Sequence, residues 1–464
     1  MKRYHSILGL AFLALTMFSS CRENEYGTVD LTLPDDSTNT VVDAKYTYNH
    51  PCAMYSQDDF DRVKTELDNG TAPDAVKKAY AALQSSKYAQ LTYEDNPQEL
   101  IVRGDTKNTG VDKENYVYAM RDAAAAWQLG LRWKLSGDDK FATAAVKILN
   151  DWAAKCKKIT SNDANQVLAA GAQGYTFANA GELLQTFSGW SDTDKKTFKT
   201  WMVNVFASKN KDFLDNHTGS NVCSLHYWSN WDLVNMASYL SIGILTENDD
   251  MVNYVVNYFY TGAGNGCIKN LIQGTFSDPL GTGEQIAQDQ ESGRDQGHAQ
   301  MSAMVAANLA QIAYTLYTKN QKVSQLDFFA ADNNALLHLG EYVALSNLRT
   351  GTDNKNADGD WMIDATKMPF NTYKYCIGCT CKDQNHGVIQ TTLGTDSRGQ
   401  LRPGWEIFYN HYAKVLGLTS GFTYVKAFAD KMRPEAGAGD TDRYGDNSGA
   451  FDQLGWGTLM LYRE

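Results

Sequence analysis

At 464 residues, with 43% hydrophobic and 21% charged side chains, the chain can bury a large core, which argues against a disordered or low-complexity protein. Its formal charge of −12 argues against nucleic acid and against an anionic membrane surface as partners. Local positive charge in a cleft can still outweigh a negative surface, because salt screens exposed charges over about 8 Å.

Met1 to Cys21 reads as an export signal: Lys2 and Arg3, an apolar run from Ile7 to Met17, then Ser19 and Ser20 before a cysteine. The run is too short to span a bilayer, and Phe-Ser-Ser-Cys is similar to a bacterial lipobox. Cleavage there would leave Cys21 lipidated, with lipid as the only membrane contact. Residues 22–45 read as a flexible tether and residues 46–464 as the folded domain. In an oxidising compartment the remaining cysteines favour one or more disulfides. Cys376, Cys379 and Cys381, with His386 nearby, have spacing compatible with either a disulfide or structural zinc.

Helical periodicity dominates the domain. The pattern predicts a helix after Ser56 that stops at Gly70, and a second after Pro73. A long helix follows from Asn115 to Leu135 (Tyr118, Ala123, Trp127, Leu131 and Trp133 on its apolar face), ended by Gly137, with another starting after Asp138. Further helices are expected at 166–184, 191–208, 230–245, 248–260, 292–316, 325–346, 402–416 and 421–432. About a dozen helices in consecutive antiparallel pairs predict an all-α fold, an α/α toroid forming an incomplete barrel. Residues 347–402, rich in Gly, Asp and Thr, read as an irregular, partly β excursion at its rim.

Three stretches concentrate polar and aromatic side chains where a core helix would not place them. The first is His226-Tyr-Trp228-Ser-Asn230-Trp231 at a helix start, where Asn230 can present amide donors to an anion. An ordinary N-cap is the plainer reading there. The second is Glu291-Ser-Gly-Arg294-Asp-Gln296-Gly-His298. On a helix beginning near 292, Glu291, Arg294 and His298 would share one face. Arg294 suits a carboxylate ligand, Glu291 would brace the guanidinium, and His298 can change protonation near neutral pH. A buried network joining helices is the alternative. The third stretch, Trp405-Glu-Ile-Phe-Tyr409-Asn-His411-Tyr412, places Trp405, Tyr409 and Tyr412 on a shared face that suits a core as well as a cleft.

These motifs, with Gly262-Ala-Gly-Asn-Gly266, resemble the alginate-lyase-type helical toroid and are most similar to polysaccharide lyase family 38. The resemblance implies β-elimination on a 1,4-linked polyuronate, alginate or glucuronan, with no cofactor and no metal. Donors must stabilise charge on the C6 carboxylate, a base must take the C5 proton, and an acid must protonate the departing O4. Asn230 and Arg294 are the expected donors. Tyr409 and His298 are the expected acid and base, with His411 and His226 as substitutes. Gln173, Tyr175, His226, Trp228, Trp231, Glu291, Gln296, Trp405, His411 and Tyr412 are the expected substrate contacts. The chain departs from the better-known toroid families, which carry a histidine where Trp231 aligns and a tyrosine where Met301 aligns. Competing readings are a glycoside hydrolase, drawing a carboxylate pair from Glu284, Asp289, Glu291 and Glu406, and a non-catalytic glycan-binding lipoprotein.

Overall fold

In the computed structural model, residues 41–217, 224–350, 360–374, 388–445 and 448–464 are described. The export signal, Cys21, most of the tether and the Cys376, Cys379, Cys381 and His386 group lie outside these residues. Helix α1 (Gln57–Asp68) starts at a capping box in which Ser56 and Asp59 satisfy each other's backbone N–H groups, and α2 (Asp74–Ser85) follows Pro73. α3 (Tyr116–Ser136) ends at Gly137 in the left-handed conformation, and Asp138 caps α4 (Asp139–Lys155). Tyr118, expected on the apolar face of α3, is exposed.

Next come α5 (Asn165–Leu183), α6 (Asp192–Trp201) and α7 (Ser208–Asn216), the last two joined by a π-helical stretch over Met202–Ala207. α8 (Ser229–Thr246), α9 (Asp249–Thr261) and the one-turn α10 (Ile268–Leu271) precede α11 (Gln296–Tyr317) and α12 (Ala331–Asn347). The chain closes with α13 (Trp405–Tyr409), which continues as a π-helix to Val415, then α14 (Thr423–Met432), α15 (Thr441–Tyr444) and α16 (Gly457–Met460).

The helices divide into two layers for a compositional reason. α5, α8 and α11 are rich in Ala, Gly and Ser and buried on nearly every side. With α3 they pack on one another in chain order as an inner wall. Small side chains let these axes approach closely: a Cβ at Gly171 of α5 would stand 2.5 Å from Val234 of α8. α4, α6 and α9 each turn one apolar stripe toward that wall, and α14 buries its stripe against α12 and α13. The result is the incomplete α/α toroid expected from the periodicity. No described helix is long and apolar enough to cross a membrane.

Strands are short. β1 (Leu100–Val102) pairs in parallel with β2 (Lys158–Thr160), and the excursion after α12 carries the antiparallel pair β5 (Tyr373–Lys374) and β6 (Ile389–Gln390). The antiparallel hairpin of β3 (Ile272–Ser277) and β4 (Gln285–Asp289) was not expected. β4 is buried on both faces from Ile286 to Asp289, so it lacks the alternation that would reveal it. It delivers the chain directly to Glu291.

The closing segment lies where the inner helices converge. Tyr55 donates to Gly455 O, Trp127 of α3 to Leu454 O and Tyr175 of α5 to Asp452 O, while Arg402 Nη1 reaches Asp452 Oδ2 at 2.8 Å. The described cysteines, Cys52, Cys156 and Cys267, are buried and unpaired. Burial raises the Cys156 thiol to about 12 and moves the other two upward as well.

Candidate active site

The site is built at the junction of β4, the start of α8 and the start of α11. Asp289, at the end of β4, and Glu291 are both fully buried. Burial, and then the adjacent Glu291, pushes the Asp289 carboxyl well above the ordinary carboxylate range. Glu291 is well satisfied: its Oε1 accepts from the Asn230 backbone N–H at 3.0 Å and from the Asn230 side-chain amide, with Ser229 Oγ at 3.3 Å. Glu291 Oε2 accepts from Arg294 Nη1 at 2.9 Å.

α11 begins at Gln296 rather than near 292, because Asp295 is extended (φ −166°) and its side chain caps the helix through His298 N–H. Glu291 and Arg294 therefore occupy a turn ahead of the helix, and the three residues share no helical face. Their proximity survives the correction. Arg294 lies over the Trp228 ring, 4.9 Å from its centroid, with 28% of its side chain exposed. Asp295 Oδ2 sits 2.6 Å from His298 Nδ1 and 3.6 Å from Arg294 Nε. Burial raises the Asp295 carboxyl, but the hydrogen bonds and charge of His298, helped by Arg294, outweigh it and hold the group below its usual value. His298 is 39% exposed, and its Nε2 has no partner among the described residues.

The arrangement can do two things. Arg294 is braced on one edge by a buried carboxylate and on one face by an indole, leaving donors open to an incoming carboxylate. His298 has one ring nitrogen fixed on Asp295 and the other open, the disposition of a general base or acid.

The other expected site residues divide plainly. Trp228 belongs to the site, and His226 lies two residues before it, edge-on to Tyr227 at 4.7 Å. Asn230 is present, buried, and donates from its side-chain amide to Glu291, so it positions that carboxylate. Gln296 is fully buried and bonded to Ser292 O, Gly394 O and Asn347 Nδ2, so it fastens the excursion to the motif. Trp231 packs on Tyr227 at 4.7 Å.

Gln173 and Tyr175 are buried in α5, and the Tyr175 hydroxyl is committed to the closing segment. Trp405 stacks on Phe428 at 4.2 Å and the Tyr412 hydroxyl donates to Phe329 O at 2.9 Å, both in the core. His411 stacks on Phe329 at 3.8 Å, and burial lowers its imidazole to about 3. Tyr409 faces Phe422 and Arg433 of the α13–α14 interface, with centroid distances of 5.9 and 5.6 Å, and makes no contact with Arg294 or His298. Once the helix widens into a π-helix at Asn410, the stripe expected from straight α-helical spacing does not form.

Two residues were missed. Asp295 had a readable signal, a capping aspartate three residues before a histidine. Tyr373, in the excursion, had none: its hydroxyl accepts from Gln290 Nε2 at 2.7 Å and its ring lies 6.3 Å from Trp228.

Against known proteins, the family model described as Alginate lyase matches residues 63–350, which include Glu291, Arg294 and His298. Alginate lyase A1-III from Sphingomonas species A1 is similar in structure, with a TM-score of 0.52 and 15% identity over 90% of this chain and 100% of that one. A histidine-to-alanine variant of A1-III complexed with tetrasaccharide aligns with a TM-score of 0.52 and 14% identity over 89% of this chain and 95% of that one. A tyrosine-to-phenylalanine variant complexed with tetrasaccharide gives 0.51 and 15% over 90% and 99%. No curated protein matches significantly by sequence. The family match spans well over half of the chain, and the toroid agrees with it: the chain belongs to the alginate lyase family and is a polysaccharide lyase.

Proposed function

We propose that the enzyme cleaves a 1,4-linked uronic-acid polymer, alginate or glucuronan, by metal-independent β-elimination at Arg294 and His298. Arg294 binds the C6 carboxylate and stabilises the charge that develops on it as C5 loses its proton. His298 Nε2 takes that proton. The C5–H electron pair becomes the C4–C5 double bond, the C4–O4 bond breaks, and the imidazolium returns its proton to the leaving O4. Asp295 holds the imidazole in the tautomer that leaves Nε2 free and stabilises its charged form. The observation that carries the reading is the open Nε2 of His298 beside a braced, half-open Arg294. In this scheme one imidazole takes the place of a phenolic base, which suits a chain with Met301 where related families carry tyrosine.

The hydrolase reading loses its carboxylates. Glu406 is bound to Arg433 at 3.1 Å, Glu284 caps the Gly421–Thr423 turn, and Asp289 and Glu291 are buried. A purely binding protein has no use for the Asp295–His298 pair. The lipobox-like Phe-Ser-Ser-Cys21 supports a lipid-anchored enzyme of the bacterial cell envelope.

The test is ultraviolet absorbance at the unsaturated-uronate band, with chelator present, on polymannuronate, polyguluronate, glucuronan and a neutral glucan. Absorbance should rise on an acidic polymer and fall by about a hundredfold or more in rate for Arg294→Ala and for His298→Ala. Reducing ends without absorbance would overturn elimination, and loss of activity with chelator would overturn metal independence.

A further inference from the structure

A pocket of about 320 Å³ opens beside the excursion, lined by Arg349, Gln400, Leu401, Arg443, Tyr444 and the glycines between them. Its volume falls within the range of about 300–1,000 Å³ usual for small-ligand clefts. No acidic side chain lines it among the described residues, although the chain as a whole carries a charge of −12.

The two arginines that meet the Trp361 indole differ in commitment. Arg398, 4.2 Å from the ring, donates to Ser346 O at 2.5 Å and to Ile363 O at 2.8 Å, which makes it a structural strut. Arg349, also 4.2 Å from the ring, makes no side-chain hydrogen bond or ion pair with the described residues, among which its buried Nη1 has no partner. Arg443 is steered through one nitrogen, Nη1, which donates to Met432 O at 3.1 Å and to Pro434 O, and no carboxylate pairs with its guanidinium among the described residues. Guanidinium groups held in place without a counter-charge suit a ligand that brings one.

The pocket adjoins the proposed reaction centre. Gln400, on its wall, puts Oε1 2.6 Å from where a Cβ on Gly297 would stand, one residue before His298. The same loop is fixed to the start of α11 by Gln296 N–H on Asp396 O at 2.9 Å and by Arg402 Nε on Gly297 O at 3.0 Å.

We propose that Arg349 and Arg443 form a second carboxylate-binding subsite, which holds a uronate of the polymer away from the bond being broken. This inference rests on the polyuronate reading of the Arg294–His298 centre. It assigns the pocket to binding and register along the polymer and not to chemistry.

The experiment compares wild type with Arg349→Ala, Arg443→Ala and the double variant on a long oligouronate and on a trisaccharide of the same sugar. Each single variant should raise KM for the long oligomer about tenfold, with a smaller change in kcat and little change for the trisaccharide. Arg349→Lys, which keeps the charge but loses the planar fork, should fall between wild type and Arg349→Ala, and thermal midpoints identify any variant that fails through folding. An unchanged KM in a folded double variant would overturn the subsite. Calorimetric binding of the long oligomer separates this from failure of the lyase reading. If wild type makes no unsaturated product yet binds the oligomer about tenfold more tightly than the double variant, the subsite stands and the chemistry falls. Equal binding overturns the subsite.

Discussion

A hydrogen bond to one ring nitrogen of a histidine fixes which nitrogen is left to take a proton, and Asp295 makes that bond to His298 Nδ1 at 2.6 Å. Asp295→Asn keeps a side chain of the same shape but removes the charge that stabilises the imidazolium. It should lower kcat by about a hundredfold or more while changing KM little, read from initial rates on the preferred polymer.

His411 has the opposite character. Its ring is stacked in the core and neutral, with burial holding it near about 3, whereas an unfolded histidine titrates near 6.5. As pH falls below the unfolded value the unfolded chain gains a proton that the folded chain refuses. The stability tied to a neutral His411 is therefore present above that value and lost as pH falls toward the folded one, by roughly 3 kcal/mol at pH 4. His411→Phe preserves the stack on Phe329 and should flatten the decline in thermal midpoint between pH 7 and pH 4 while leaving turnover near wild type. Equal acid sensitivity in the variant would remove this account.

At the scale of elements, the excursion after α12 behaves as part of the site. Gly394 N–H donates to Ser292 O at 2.9 Å, and a Cβ on Gly394 would stand 2.8 Å from the carbonyl oxygens of Gly293 and Arg294. Gly394→Ala would push the excursion off the turn that aims Arg294. Activity should fall at least tenfold, with a stability loss of about 1–3 kcal/mol measured by denaturant titration.

This coupling also explains what sequence reading could and could not reach. Helix existence followed from apolar spacing and caps such as Ser56, Gly137 and Asp138, because those signals are local. The Glu291–His298 motif was legible as a cluster of unlike polar groups. The buried hairpin ahead of it, the helix start delayed to Gln296, and the removal of Tyr409 and Tyr175 from the cleft all depend on packing between distant segments. No local period records such packing.

For the whole molecule, the closing segment matters more than its terminal position suggests. Arg402 ties it to the start of α11, bonding Gly297 O at 3.0 Å and Asp452 Oδ2 at 2.8 Å, with both side chains buried. Arg402→Ala would strand Asp452 without its counter-charge and should cost about 3–5 kcal/mol, seen as a drop in thermal midpoint across the entire transition. Loss of activity without that drop would assign Arg402 to the site instead of the frame.

Among the described residues, the buried, unpaired cysteines supply three internal clocks. Cys52 lies just before α1, Cys156 follows α4 and Cys267 precedes α10, and each thiol is shielded and held protonated by its surroundings. A thiol-specific alkylating reagent can reach each one only when its own part of the ring opens. Peptide-resolved labelling rates would therefore distinguish a toroid that breathes as one body, with all three modified in step, from one that unzips arc by arc.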